Sequence, residues 1–556
     1  MLKTTTVTFL AVATSFFILH FSSPPKSYYH SLFISDSLAD NASVSHHLYT
    51  LTRRPHVAGS QANAEAASYV LSTLNACNVK AHAVSYEVLL TYPDSHVAHE
   101  VVPTFHTYAK SGSVTGPVVY VNYGRVEDYE TLKEIGVNVT GTVVLTRYGK
   151  ISRGDIVLNE FEAGAIGALV FTDRKDYGGG TGYAKWFPDD KWMPPSGVQV
   201  GTVYNGSGDP TTPGWASTEG CERVSIKEVE RSGHVPLIPS LPISSSDGET
   251  ILRSIGGQVA KDDWQGSKDA PTYKVGPGPG VVNLDYNGKQ VIETIQNVIG
   301  VIEGVEEPDR FVILGNHRDA WTFGAFDPNS GTASLLEIGS TEWVEENREL
   351  LASRAVAYVN VDSAVSGPGF HASATPQLDD LLKQAAQQVQ DPDNSSQTIY
   401  EQWAGSTDLY MIGRLGGVGS DHAAFLQHIG APAADMCFGE AGFPVYHSMY
   451  DDYTWTENFG DPMFKRNIAA ASVWGLVALR LADEEFLPFN YHSYTFEIQR
   501  LAEDLENEIS DKGIDDAIEN AKNLNTAESW DLVQHEVWRV SRAVRHASLV
   551  LNGKLT

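Results

Sequence analysis

Apolar and polar positions divide the chain into stretches of different texture. Residues 40–85 read as helices around Pro55-His56-Val57-Ala58-Gly59-Ser60. Short apolar runs at 118–121, 143–145 and 168–171, separated by Gly-rich turns, predict strands. Residues 174–220 hold Gly178-Gly179-Gly180, Pro194-Pro195 and Thr212-Pro213-Gly214, a loop-rich stretch. Gly276-Pro277-Gly278-Pro279-Gly280 is a natural break. Beyond it, the runs at 311–315 and 355–362 are apolar on both faces, which predicts buried strands of an α/β sheet. From about Asp483 the pattern turns helical and polar, with Ile498, Leu501, Leu505 and Ile509 at helical spacing and a second set at Val533, Val537, Trp538 and Val544. No internal repeat is visible.

The N-terminus differs from the rest. Residues 7–21 are almost wholly apolar and end at Ser22-Ser23-Pro24-Pro25-Lys26. The run is short for a full span, and no small-x-small cleavage site follows it, so an uncleaved signal anchor is favoured over a cleaved signal peptide. Either places the remainder in the secretory lumen. Sequons at Asn41, Asn138, Asn205 and Asn394 agree with that placement.

Composition narrows the chemistry. The 556 residues carry 39 Lys and Arg against 69 Asp and Glu, a net charge of −30, which excludes a basic nucleic-acid-binding surface. The length allows three or four structural units of roughly 150 residues. Cys77, Cys221 and Cys437 are far apart and form no Cys-x-x-Cys, so any metal must rely on histidine and carboxylate ligands.

Such ligands follow the two buried runs. The first ends in Asn316-His317-Arg318-Asp319, and Asp327-Pro328-Asn329 follows ten residues after His317. The second ends in Asp362, and Tyr446-His447-Ser448 lies further on. Ligands of open α/β sheets gather beyond the carboxyl ends of strands. His317, Asp327, Asp362 and His447 could therefore converge, and two histidines with shared carboxylates suit zinc, singly or as a pair. Asp319 could orient His317 from behind. Singly, a histidine after a strand or an Asp-Pro-Asn turn is unremarkable; their combined order carries the reading.

In that order the chain resembles the glutamate carboxypeptidase II-like peptidases of the M28 family, above all the plant altered-meristem-program type. The marks are Pro55-His-Val-Ala-Gly-Ser60, Arg147-Tyr-Gly-Lys-Ile-Ser-Arg-Gly154, Asn316-His-Arg-Asp-Ala-Trp321, Phe326-Asp-Pro-Asn-Ser-Gly331, Gly339-Ser-Thr-Glu-Trp343, Asn360-Val-Asp362 and Tyr446-His447-Ser448. The resemblance implies a zinc-peptidase mixed sheet flanked by helices, an inserted β-rich protease-associated apical domain and a helical dimerisation domain. Its boundaries here would be 1–25 for the cytosolic tail and anchor, 26–105 and 291–482 for the peptidase domain, 106–290 for the apical domain and 483–556 for a truncated helical domain. It implies a type II membrane glycoprotein of the endoplasmic reticulum or another secretory compartment, homodimeric, acting on small peptides with a free C-terminus. It further implies that His317 and Asp362 hold one zinc, that His447 holds the other and that Asp327 bridges them. Arg153 and Tyr446 would grip the substrate's terminal carboxylate. Thr212, Trp215, Glu342 and Glu345 would hold a structural calcium.

The chain also departs from the family. A strand ending in Asp-Ala-Glu-Glu is expected before Gly339-Ser-Thr-Glu-Trp343; its first glutamate is the general base and its second a zinc ligand. Here Leu335-Leu336-Glu337-Ile338 runs directly into Gly339. Glu337 is a weak substitute, and Ala482-Asp483-Glu484-Glu485 is a decoy in a helix-exit context. Asp435 and Cys437 stand near where the family has arginines for an acidic side chain, Thr202 replaces an asparagine, and 95–101 looks shortened. The expectation is a di-zinc carboxypeptidase homologue with no identified catalytic base and strongly reduced activity. A non-catalytic membrane scaffold resembling the transferrin receptor, or a non-functional splice product, is the alternative.

Overall fold

The computed structural model describes residues 41–93, 102–179, 185–335, 341–406, 412–416, 419–439, 443–493, 495–497 and 500. The N-terminal apolar run, Glu337 and nearly all of the C-terminal helical stretch lie outside the described residues. Among the described residues no helix is long and apolar enough to cross a membrane.

Two helices, Asn41–Leu51 and Gln61–Ala76, open the described chain. Ser60 caps the second by accepting from the Asn63 N–H. The helical expectation for 40–85 fails at its end. Lys80–Pro93 is a strand, paired antiparallel along its whole length with Gly288–Val301. Sequence alone does not reveal that partner, because the whole apical unit lies between the two strands.

That unit is built on a five-stranded sheet in the order Ser240–Ile243, Gly167–Phe171, Val143–Arg147, Gly112–Tyr120, Val281–Tyr286. The first four run parallel and the last pairs antiparallel. All of Val143–Arg147 and Gly167–Phe171 is buried, which explains their unbroken apolar character. The sheet continues past the Gly-Pro-Gly-Pro-Gly break, so that break is a loop inside this unit and not its edge.

The second five-stranded sheet has the order Phe311–Gly315, Ala355–Asn360, Ala433–Phe438, Phe370–Ala374, Ile412–Gly413. Its first three strands are parallel. Val312 and Leu314 pack on the core that includes helices Asp379–Ala386 and Lys465–Asp483; Phe311 and Ile313 face the opposite core beside helix His422–Ile429. Both faces are thus covered, as the apolar sequence requires. Yet Phe311–Leu314 are only half-buried. The strand lies at the edge of its sheet, and among the described residues Gly288–Val301 is not hydrogen-bonded to it. Arg318, just beyond the strand, reaches across and donates to the Gln296 carbonyl at 3.1 Å.

Candidate active site

Register places the first two site residues together. Gly315 pairs with Asn360 across neighbouring parallel strands, so His317 and Asp362, each two residues further on, leave the sheet side by side. Asn316 locks this corner. Its fully buried amide donates to the Val361 and Asp362 carbonyls, both at 2.7 Å, and to Pro328 at 3.3 Å. The Pro328 contact ties in the loop that carries Asp327, just ahead of helix Asn329–Leu335.

His317 Nε2 lies 3.0 Å from Asp362 Oδ1 and 3.3 Å from Asp327 Oδ1. The other oxygen of the same carboxylate, Asp327 Oδ2, lies 3.1 Å from His447 Nε2. Asp327 therefore sits between two histidines with one oxygen turned to each. Ligand separations near 3 Å suit the edges of a tetrahedron with bonds of about 2.0–2.1 Å. Among the described residues His317, Asp327 and Asp362 form the one close cluster of potential metal ligands, and no glutamate joins it.

Each histidine is oriented from behind. His317 Nδ1 donates to the main-chain carbonyl of Asp319 at 3.1 Å. The Asp319 carboxylate stands further off at 3.5 Å, so the expected orienting role falls to this residue's backbone. His447 Nδ1 donates to the Val200 carbonyl at 2.9 Å. Both rings are thereby fixed with Nε2 facing Asp327.

The electrostatics favour a cation. Burial opposes charge on His317, but Asp362, Asp319 and Asp327 outweigh it and hold the ring well above the ordinary histidine range. Burial also opposes ionisation of Asp327, yet His317 and His447 keep it well below the ordinary carboxylate range. For His447 burial wins over the pull of Asp327 and lowers the ring. Burial and the nearby Asp362 charge push Asp435 up to about 7.

Arg153 and Tyr446 also come to this rim. Ser152 caps helix Arg153–Glu162 by accepting from the Asp155 N–H, which sets Arg153 in the first turn. Its Nη2 lies 3.3 Å from His447 Nδ1. The Tyr446 ring stacks on His447 at 3.7 Å between centroids, and burial with the neighbouring Asp327 holds its phenol protonated.

For the second expected set the structure shows a contact between loop and helix, while the Trp215 indole N–H donates to the Glu222 carbonyl at 2.9 Å. The loop with Thr212 and Trp215 lies against helix Thr341–Glu346. One Glu342 oxygen accepts from Asp209 N–H at 2.8 Å, the other from Ser217 N–H at 2.7 Å. Thr212 Oγ1 and Glu345 Oε2 are buried without hydrogen-bond partners. Burial first, then Glu342, raises the Glu345 carboxyl to about 7. Of the four sequons, Asn138 and Asn394 are exposed, whereas Asn41 and Asn205 are half-buried and their amides donate to Met463 O and Asp155 Oδ1. Glu484 is ion-paired with Arg480 at the end of its helix, consistent with a decoy.

Two supporting residues escape sequence reasoning. Asp451, 1% exposed, accepts from the N–H of Phe326 at 2.7 Å and of Asp327 at 3.2 Å, clamping the central carboxylate's loop. Val200, far away in sequence, holds His447 through both its N–H and its carbonyl.

The PA domain family matches residues 114–205. "Probable glutamate carboxypeptidase LAMP1" of Arabidopsis thaliana is 54% identical, covering 98% of this chain and 98% of its own. That alignment extends over 682 positions, more than the 556 residues here, so many positions of the relative have no counterpart in this chain. "Probable glutamate carboxypeptidase VP8" of Zea mays is 40% identical, covering 84% of this chain and 70% of its own. Among solved structures, a peptidase M28 precursor from Shewanella amazonensis covers 83% of this chain and 98% of its own, at TM-score 0.49 and 14% identity. From 54% identity across nearly its whole length, the chain belongs to the glutamate carboxypeptidase II-like family of M28 metallopeptidases.

Proposed function

We propose that this chain is a lumenal zinc carboxypeptidase homologue that keeps its metal-binding and carboxylate-binding side chains but lacks its catalytic base. The observation that carries the reading is Asp327, whose two oxygens are divided between His317 and His447. The donor set fits zinc: two imidazole nitrogens and two carboxylates, with no thiolate. Zinc held by His317, Asp327, Asp362 and His447 would act as a Lewis acid toward a peptide carbonyl. Arg153 would receive the free terminal carboxylate of a small peptide, with Tyr446 beside it. The Asp319 main-chain carbonyl keeps His317 oriented, and Asn316 holds the strand ends in register.

A proton acceptor for the attacking water is the missing part. No glutamate belongs to the described metal-ligand cluster. Loss of general-base transfer typically costs about 10²–10⁴-fold in rate. The edge position of Phe311–Gly315, and an alignment longer than the chain, support the absence of a strand-bearing segment near 336–340. The same absence supports the second reading, a membrane-anchored, homodimeric scaffold of secretory membranes that no longer hydrolyses peptides. Calcium held by Thr212, Trp215, Glu342 and Glu345 would tie the apical loop to the peptidase domain, and the two orphaned buried oxygens there support it.

Metal content tests the proposal. The His317–Asp327–Asp362 set is the fuller one, so one zinc per chain is expected to survive dialysis against a metal buffer while a second exchanges readily. Two tightly held zincs would mean that another ligand completes the His447 side.

A further inference from the structure

Three consecutive residues of the apical unit support the rim. The Gln199 carbonyl accepts from the Tyr148 hydroxyl at 3.2 Å, and the Val200 carbonyl accepts from His447 Nδ1. Gly201 faces the Arg153 guanidinium. It opens the short strand Gly201–Thr202, which runs parallel to His106–Thr107. A β-carbon on Gly201 would lie 2.2 Å from Arg153 Nη1, 2.5 Å from Cζ and 3.0 Å from Nε, and these are its three nearest atoms. Gly201 is not among the glycines with positive φ. An alanine could therefore adopt this backbone, and its obstacle would be Arg153 itself.

The guanidinium is held in that niche. Its Cζ lies 5.3 Å from the centre of the Tyr148 ring, a cation–π distance. Tyr148 is fixed by a buried chain in which Ser240 Oγ donates to His106 Nδ1 at 2.6 Å and His106 Nε2 donates to the Tyr148 oxygen at 2.8 Å. Arg153 Nε is buried with no hydrogen-bond partner. An unpaired guanidinium donor is a costly arrangement unless an acceptor arrives from outside, and a carboxylate fits it.

We propose that Gly201 determines specificity. Its missing β-carbon makes the niche that lets Arg153 present its guanidinium to a substrate carboxylate, so position 201 decides whether a free C-terminus is favoured over a blocked one. This rests on the reading of Arg153 as the carboxylate-binding group.

The test is calorimetric titration of the full zinc-loaded chain with N-acetyl-dialanine and with its C-terminal amide. It is repeated for Gly201→Ala, Arg153→Ala and the double variant. The wild type should bind the acid about tenfold or more tightly than the amide. Gly201→Ala should bring the two within about twofold, with wild-type zinc content, and the double variant should lose nothing further. A wild type without preference overturns the Arg153 reading itself. A wild-type preference that survives in Gly201→Ala overturns the Gly201 proposal alone. If Gly201→Ala folds poorly, adding Arg153→Ala removes the clash and should restore the wild-type melting temperature; failure to restore it also overturns the proposal.

Discussion

Asp451 offers a quantitative check on how the central carboxylate is held. Its two oxygens accept the buried N–H groups of Phe326 and Asp327, at 2.7 and 3.2 Å. Phe326 and Asp327 are 6% and 8% exposed, so water cannot readily replace a lost acceptor. Asp451→Ala leaves both donors orphaned at about 1–3 kcal/mol each, or about 2–6 kcal/mol together. That is a large share of a domain stability of about 5–15 kcal/mol. Asp451→Asn keeps one acceptor oxygen but turns an NH₂ group toward the other donor, so about half of this loss is expected. Urea unfolding followed by tryptophan fluorescence should order the midpoints wild type, Asn, Ala. Zinc retained after dialysis should fall in the same order, because the loop released is the one carrying Asp327. An alanine variant with wild-type midpoint and wild-type zinc would refute the clamp.

Other outcomes follow from separate features. Burial outweighs the Thr146 hydrogen bond and holds the Glu160 carboxyl well above the ordinary range. Its stabilising contribution is therefore full below the unfolded pKa and is lost as pH rises toward the folded one. Glu160→Gln should flatten the decline of melting temperature between acidic and neutral pH, and an unchanged slope would contradict this. Calcium should raise the melting temperature of the wild type but not of Glu345→Gln; equal shifts would exclude that site. Hydrogen exchange should be faster in Phe311–Gly315 than in the fully buried Val143–Arg147, and equal protection would mean that the edge strand has a partner.

Legibility in the sequence followed the range of the forces involved. Val143–Arg147, Gly167–Phe171 and Ala355–Asn360 were readable because burial on both faces selects unbroken apolar runs. Lys80–Pro93 was not, since its partner Gly288–Val301 lies about two hundred residues away and sheet pairing leaves no local signature. Phe311–Gly315 was correctly predicted as a strand, but its apolar character did not reveal its edge position. At the site, His317, Asp327, Asp362 and His447 were legible because two buried runs place ligands at their carboxyl ends and their order matches a known family. Asp451, Val200 and Gly201 were not, because their roles reside in backbone hydrogen bonds and in empty space that no residue type announces.

Peptidase activity of the purified 556-residue chain, with and without a chelator, tests the central claim most directly. A metal-binding scaffold without its base should show negligible release of C-terminal residues from small peptides, and His317→Ala should change that rate little. Robust, chelator-sensitive hydrolysis that His317→Ala abolishes would contradict the account, and would mean that a residue such as Glu337 serves as the base.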